Sequence, residues 1–328
     1  QIDEITVPLQ RFTVVTGVSG SGKSTFCREV LFENLSRRLK DAQAPLVGTD
    51  QLTGFENVGR VLEVDQTPIG KNSRSCPATY VGIMTAIRDL YAATNEAQAR
   101  GYDASRFSFN KAVGACPVCA GQGLRTVEMN FLPDVKVLCE ACAGKRFNPE
   151  TLEVLWRGKS IGDVLEMEID EAVDFFASMP SIAYPLKLMQ DVGLGYLTLG
   201  QPSPTLSGGE AQRLKLVTEL AKVRTDGSFA ARAPHTLYVL DEPTVGLHMT
   251  DVDRLSKVLS RLVDAGSTVV VIEHNLDIVA VIDLGPEGGT KGGKVVAQGS
   301  PKMVARKNTA TGIVLRAFLA EHKPVKSA

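Results

Sequence analysis

The chain has 328 residues, enough for one large domain or two of ordinary size. Hydrophobic residues make up 44% of it and charged residues 22%, and no apolar run is long enough to predict a membrane span. The net charge of −1 excludes a basic surface over the whole chain, so any surface for nucleic acid must be local. Four of the six cysteines form two CxxC pairs, which favours a reducing, cytoplasmic location. Because no apolar run predicts a membrane span, no membrane partner is expected.

The first predicted element is a short β-branched strand at residues 11–16, followed by a glycine-rich loop. Glycines in such a loop let backbone N–H groups turn inward around phosphates, and a following helix directs its positive end at the same anion. Lys23 supplies a charge for the β- and γ-phosphates, and Ser24 supplies a hydroxyl for Mg²⁺. The pattern GxxxxGK[ST] therefore predicts ATP bound with magnesium, at Gly17, Ser19, Gly20, Ser21, Gly22, Lys23, Ser24 and Thr25.

Two CxxC pairs lie near the middle of the chain, separated by nineteen residues. This spacing is typical of a zinc site with four cysteine ligands, here Cys116, Cys119, Cys139 and Cys142. Because four protein ligands leave no open position on the ion, the predicted zinc is structural. A redox or disulfide role and a module without metal are the alternatives.

The segment around these cysteines is locally basic. Between residues 100 and 146 it contains seven Lys or Arg residues against four Asp or Glu residues, with phenylalanines between them. Basic side chains on a zinc-braced hairpin can neutralise DNA phosphates, and the candidates are Arg106, Lys111, Lys145 and Arg146. On charge alone, a zinc-braced module that contacts another protein is an equal alternative.

The motif Leu206-Ser207-Gly208-Gly209-Glu210 precedes a predicted helix. Ser207 as N-cap with Glu210 three residues later predicts a capping box. The same helix start, with a serine hydroxyl and two glycines, can also bind a γ-phosphate. Ser207, Gly208 and Gly209 are therefore candidate nucleotide ligands as well.

Two apolar strands predicted later in the chain end in residues of catalytic type. The strand at 236–240 leads into Asp241 and Glu242, and the strand at 268–272 leads towards His274. Asp241 is placed to hold Mg²⁺, and Glu242 is the predicted general base for the attacking water. His274 is predicted to sense the γ-phosphate.

These motifs together resemble the ATP-binding-cassette (ABC) ATPases, through LSGGE, LYVLDEPTVGLH and VIEHN. The resemblance implies an α/β fold: a P-loop nucleotide-binding domain, here with a zinc-binding insertion and a helical signature subdomain. It also implies that Gln66 is the Gln-loop residue, which contacts Mg²⁺ and the attacking water. In this family two cassettes sandwich two ATP molecules, and LSGGE of one completes the site of the other. One copy of each motif supplies only half-sites, so we expect weak ATPase activity from this chain alone.

The full combination resembles the C-terminal half of the UvrA family of bacterial nucleotide excision repair, with its second cassette. Besides the cysteine module, the resemblance rests on VDQTPIG, RSCPATY, KRFNPETLE and DLGPEGG. It implies an ATPase that binds damaged double-stranded DNA, forms a homodimer, works with another cassette in the full-length chain and loads the helicase subunit UvrB.

Two segments depart from that family pattern. Residues 224–234 form a longer, looser linker, which favours the UvrB-independent branch of the family, and residues 278–283 are shorter than the pattern. Two other functions are weighed against repair: the ATPase subunit of an ABC transporter, and a zinc-dependent protein-interaction clamp. A transporter subunit leaves the cysteine module and its basic surroundings unexplained.

The predicted organisation along the chain is a split ATPase core with two inserted regions. An N-terminal core segment (1–95) is followed by the zinc-binding insertion (96–150), the helical signature subdomain (151–204) and a C-terminal core segment (205–328). Within the signature subdomain, residues 163–179 are predicted as one amphipathic helical segment, with Ser160 and Asp170 as N-caps.

Overall fold

The computed structural model describes residues 4–127, 129, 135–222, 234–247, 249–273, 281–287 and 293–321. The chain divides into two compact units, Gln1–Asp65 with Lys222–Ala328, and Gln66–Ala221. The edges of these units do not coincide with the predicted boundaries near residues 95, 150 and 204, and the finer division into four regions stays a prediction. The predicted γ-phosphate sensor His274 lies outside the described residues, as does most of the two segments that depart from the family pattern.

The strands of the described residues, in chain order, are β1 (Phe12–Gly17), β2 (Arg60–Val64), β3 (Leu124–Val127), β4 (Val135–Leu138), β5 (Leu155–Trp156), β6 (Lys159–Ser160), β7 (Thr236–Asp241), β8 (Thr268–Ile272), β9 (Val281–Gly285) and β10 (Lys294–Gly299). The α-helices are α1 (Glu33–Arg38), α2 (Pro77–Val81), α3 (Ile83–Ala92), α4 (Asn95–Ala99), α5 (Pro149–Leu152), α6 (Ile161–Glu166), α7 (Ile169–Phe175), α8 (Pro180–Asp191), α9 (Gly208–Leu220), α10 (Met249–Asp264), α11 (Pro301–Val304) and α12 (Ala310–Glu321). A π-type helix, Thr25–Phe32, runs into α1, and a 3₁₀ turn, Ser203–Thr205, precedes α9.

The first unit is built on a six-stranded sheet with the order β10-β9-β1-β8-β7-β2. All neighbouring strands are parallel except β10, which pairs antiparallel with β9. Every residue of β8 and β9 is buried, as expected for parallel strands that are covered on both faces. Because β1, β7 and β8 run in the same direction, the residues that follow them meet at one edge of the sheet.

The second unit is mainly helical and carries two antiparallel hairpins, β3 with β4 and β5 with β6. Its core contains fully buried aromatic side chains, among them Tyr91 and Phe107, whose ring centroids lie 5.7 Å apart. Phe109 and Phe147 pack edge to face at 6.0 Å. Three of the phenylalanines in and beside the basic segment are thus core residues of this unit.

The helical segment predicted over residues 163–179 consists of two helices, α6 and α7. Met167, with φ −63° and ψ 138°, ends α6 in an extended conformation. Ser160 caps α6 through a capping box with Asp163, as predicted. Asp170 is not an N-cap, because it lies in the first turn of α7 after Glu168, and the prediction for it is wrong. In the part of the chain that the structure describes, no helix combines the length and the apolar character needed to cross a membrane.

Candidate functional site

The loop after β1 has a backbone that only glycines adopt without strain. Gly17, Gly20 and Gly22 have φ values of +138°, +75° and +90°. A Cβ on Gly17 would lie 2.0 Å from the carbonyl oxygen of Leu284, so no other residue fits there. The side chain of Lys23 folds back over the loop, and its Nζ donates hydrogen bonds of 2.9 Å to the carbonyl oxygens of Gly17 and Val18. This is the cradle that the sequence predicts for phosphates.

Three carboxylates lie close enough to this lysine to act on its charge. Lys23 is 7% exposed, and burial lowers its pKa, while the charges of Glu242, Asp241 and Asp283 act in the opposite direction. The structure thus brings Lys23, Asp241 and Glu242 into one electrostatic neighbourhood at the edge of the sheet. In this mixture of charges, the ammonium can bind a phosphate group and the carboxylates can bind a cation beside it.

Arg28 belongs to the same neighbourhood, although the motif analysis did not single it out. From the π-type helix it forms ion pairs with Glu63 (Nε to Oε1, 2.5 Å) and with Asp241 (Nη2 to Oδ2, 3.4 Å). No local pattern marks an arginine at this position, because its two partners come from β2 and β7. It holds the carboxylate of Asp241 in place beside the loop.

The carboxylate of Glu242 follows β7 in a constrained turn. Glu242 has a φ of +44°, a left-handed conformation that is rare outside glycine, asparagine and aspartate. Its N–H donates to the carbonyl oxygen of Ile272 at the end of β8, at 2.9 Å. The position of this predicted general base is therefore set by β8 as well as by its own strand.

The signature motif forms the start of α9 in the second unit. Ser207 N donates to Glu210 Oε2 at 2.6 Å, and Glu210 N donates to Ser207 Oγ at 3.3 Å, which confirms the predicted capping box. Tyr196 was missed by the sequence analysis. Its hydroxyl donates to Glu210 Oε1 at 2.6 Å. Burial would raise the pKa of Glu210, but hydrogen bonds from Tyr196 and Ser207 outweigh it and hold that pKa below the ordinary value.

Gln66 lies beside this motif in the same unit. A Cβ on Gly208 would come within 3.1 Å of Gln66 Cβ and within 3.2 Å of its Oε1, so a side chain at this position would have to displace Gln66 by a few tenths of an ångström. The next residue, Thr67, accepts a hydrogen bond of 2.7 Å from Lys215 Nζ on α9. The structure therefore brings the predicted Gln-loop residue to the signature glycine, and its contact with Mg²⁺ and water stays a prediction.

The four predicted metal ligands converge into one buried cluster, with all sulfur atoms within 4.8 Å of one another. Cys116 Sγ and Cys139 Sγ are 4.0 Å apart, and Cys119 Sγ and Cys142 Sγ are 3.7 Å apart. A tetrahedral zinc ion with Zn–S bonds of about 2.3 Å needs sulfur atoms roughly 3.8 Å apart. The donor set and its spacing fit such an ion, and the cluster can hold a metal with four sulfur ligands.

The backbone around the cysteines shows why each pair reaches one point. The residues that follow each pair have positive φ: Ala120 and Gly121 after the first, Ala143 and Gly144 after the second. Burial raises the pKa of the Cys142 thiol to about 12. A metal ion at the centre of the cluster would therefore be needed to stabilise this sulfur as a thiolate.

The four basic DNA-contact candidates occupy different environments. Lys111 is exposed, whereas Lys145 is half-buried and forms an ion pair of 2.6 Å with Asp163. Arg106 is mostly covered, since its guanidinium stacks on Tyr102 at 4.4 Å and its Nε donates to Thr151 Oγ1 at 2.9 Å. Lys111 is thus the candidate that the structure presents most openly.

Arg146 is a structural residue in this arrangement. It is 4% exposed, and its two Nη atoms donate hydrogen bonds of 2.7 Å to the carbonyl oxygens of Ser73 and Gly200. Its guanidinium also lies 5.2 Å from the ring centroid of Phe109. A guanidinium buried in this way is not available to a phosphate, so the structure corrects the prediction that placed Arg146 at a DNA surface.

The hairpin of β3 and β4 carries basic residues that were not among the candidates. Arg125 and Lys136 are exposed on it, one on each strand. Apolar side chains are exposed beside them, including Val137 and Leu138, the latter at 65%. An exposed hairpin with both basic and apolar side chains, rooted next to the cysteine cluster, is a candidate interaction surface.

Known proteins resemble this chain in sequence and in fold. No protein-family model matches the chain. It is 57% identical over 318 residues to UvrABC system protein A of Thermus thermophilus, which covers 96% of this chain and 32% of that protein. For UvrABC system protein A of Aquifex aeolicus the identity is 52% over 320 residues, which covers 96% and 34%.

The structure agrees with these sequence matches. It is similar to the crystal structure of UvrA2 from Deinococcus radiodurans, with a TM-score of 0.82 and 48% identity over 95% of this chain and 37% of that one. The chain thus spans about a third of the length of the relatives that it matches. In sequence and in fold the chain therefore matches one segment of UvrA, and its mixed α/β fold with a four-cysteine cluster agrees with the fold class that its motifs predict.

Proposed function

We propose that this chain is an ABC-type ATPase module of nucleotide excision repair, which couples ATP binding and hydrolysis to the binding of damaged double-stranded DNA. The observation that carries the proposal is the sequence identity of the chain to UvrABC system protein A, which exceeds 50% over 96% of the chain for two relatives. The phosphate-binding loop, the acidic strand end and the cysteine cluster supply the chemistry that such a module needs.

In this proposal the first unit binds and hydrolyses ATP. Lys23 and the loop N–H groups bind the phosphates, and Ser24 and Asp241 hold Mg²⁺, which supplies charge neutralisation at the transferred phosphoryl group. Glu242 accepts a proton from the attacking water as general base. His274 is the proposed γ-phosphate sensor, and Gln66 is the proposed Gln-loop residue for Mg²⁺ and water. Ser207, Gly208 and Gly209 serve the nucleotide of a second cassette.

Replacing Lys23 with alanine tests the phosphate site. Loss of an ammonium that binds a phosphate group costs roughly 1.5–3 kcal/mol, so we expect ATP affinity to fall about 10- to 100-fold. Isothermal titration with ATP and Mg²⁺ measures this change. Lys257→Ala is the matched control, because Lys257 lies on an exposed face of α10 and pairs with Asp253 at its own helix surface. Equal ATP affinity in Lys23→Ala and in the control would refute the assignment.

The cysteine cluster holds structural zinc in this proposal, and the β3–β4 hairpin that it supports contacts DNA. Lys111, Arg125 and Lys136 are exposed and basic, which suits phosphates of the backbone. The exposed apolar side chains of the same hairpin could pack against bases whose stacking is disturbed by a lesion, because this contact removes apolar surface from water. A homodimer and a second cassette are the expected partners, and UvrB is a further partner to be tested.

Binding to a lesion-containing duplex and to its undamaged twin, across a salt series with and without ATP, tests this surface. Log K falls as log salt rises, and each lost phosphate contact should make this slope less steep by about 0.9, so Arg125→Ala and Lys136→Ala should each decrease its magnitude by about one. Lys257→Ala should leave the slope unchanged. Binding that ignores salt, or slopes that do not change in the hairpin variants, would favour the protein-interaction clamp instead.

A further inference from the structure

The motif VIEHN contains a buried carboxylate, Glu273, to which none of the roles above is assigned. Glu273 follows β8 directly and is 2% exposed. Its Oε1 accepts two hydrogen bonds from one residue, Thr244, from the backbone N–H at 2.9 Å and from the hydroxyl Oγ1 at 2.6 Å. Its own N–H donates to the carbonyl oxygen of Val15 in β1 at 3.2 Å.

Thr244 lies two residues after Glu242, in the turn that leaves β7. This turn begins with the left-handed backbone of Glu242, a conformation that is unfavourable for a residue with a side chain and persists only where the surroundings hold it. The surroundings include two anchors at the end of β8. One is the hydrogen bond from Glu242 N to Ile272 O, and the other is the pair of bonds from Thr244 to Glu273.

The two anchors lie on either side of the Glu242 side chain along the chain. The anchor at Ile272 holds the backbone N–H of Glu242 itself, and the anchor at Glu273 holds the residue that follows Pro243. Together they fix the backbone of the turn from which the Glu242 side chain leaves the sheet edge. Burial of a carboxylate is costly without partners, and here the partners belong to the turn that carries the general base.

We propose that Glu273 is a positioning residue for Glu242: its buried carboxylate holds Thr244 and thereby orients the general base towards the attacking water. The inference rests on the proposed ATPase function of the same site. A base that is misplaced by about 1 Å loses much of its contribution to the rate, while nucleotide binding through the loop after β1 is unaffected.

The test measures ATP hydrolysis by the full chain in single turnovers, with protein in excess over radiolabelled ATP. Thr244→Val removes the hydroxyl and keeps the shape, and Thr244→Ser keeps the hydroxyl. We expect the hydrolysis rate to fall about tenfold in Thr244→Val and about 10- to 100-fold in Glu273→Ala, with ATP affinity unchanged in both. Thr244→Ser should restore the rate to within about twofold of the original.

The Glu242→Gln background separates positioning from a general structural role. If Glu273 acts through Glu242, Glu273→Ala should change the residual rate of Glu242→Gln by less than about twofold. Equal losses in the two backgrounds, or a Thr244→Val variant with an unchanged rate, would overturn the inference. Absence of hydrolysis in the unmodified chain even with a second cassette present would instead refute the proposed function itself.

Discussion

Replacement of Glu242 with glutamine should lower the rate of ATP hydrolysis about 10²- to 10⁴-fold and leave ATP binding intact. Glutamine has the shape of glutamate but cannot accept the proton of the attacking water. The loop that binds the phosphates follows β1 and does not depend on this side chain, since Lys23 bonds to Gly17 and Val18. Steady-state phosphate release and titration with ATP measure the two effects separately.

The same variant should accumulate an ATP-bound pair of cassettes, because the nucleotide that joins them is no longer cleaved. Light scattering after size-exclusion chromatography, with ATP and then with ADP, measures this association. Asp253→Asn is the matched control for loss of one carboxylate, because Asp253 is exposed on α10 and its surface ion pair contributes little. Hydrolysis by Glu242→Gln at the original rate would exclude Glu242 as the general base.

Replacement of Cys139 with alanine should release the metal and unfold the segment around the cluster. Cys139 is fully buried, and structural zinc contributes about 10–16 kcal/mol to the folding of zinc-finger peptides, more than a small module can replace. The cluster belongs to the second unit and the phosphate-binding loop to the first. We therefore expect ATP affinity to change by less than about twofold.

Metal content by mass spectrometry and hydrogen exchange over residues 115–147 measure the two expected losses. Cys27→Ala is the control, because Cys27 is an equally buried free thiol in the first unit, outside the cluster. It should retain one equivalent of metal. Retention of metal by Cys139→Ala would refute the four-cysteine site, and a collapse of ATP affinity would show that the module belongs to the nucleotide site.

The features predicted correctly from sequence are those whose information is local. The capping box joins Ser207 to Glu210, only three positions further along the chain. The convergence of the cysteines is non-local, but two CxxC pairs leave few other geometries for four buried thiols. In motifs of this kind, the residue types and their spacing are enough to predict the local geometry.

Other features depended on partners far away in the chain. The burial of Arg146 is decided by the carbonyl oxygens of Ser73 and Gly200, and no pattern near Arg146 distinguishes it from an exposed basic residue. The break between α6 and α7 follows the extended backbone of Met167, whose N–H and carbonyl groups bond to Asp163 and Leu199. A helical period alone does not show where such a break falls.

By itself the sequence determined which residues are candidates for the chemistry of this protein: a glycine-rich loop, an acidic strand end, a capped signature helix and four cysteines with metal-ligand spacing. Only the tertiary structure decided which side chains support them, through the pairing of β1, β7 and β8. That pairing places Glu273 against Thr244 and Arg28 beside Asp241. The physical reason is that ligands are specified by residue type and spacing, whereas their orientation depends on hydrogen bonds between strands that are distant in the chain.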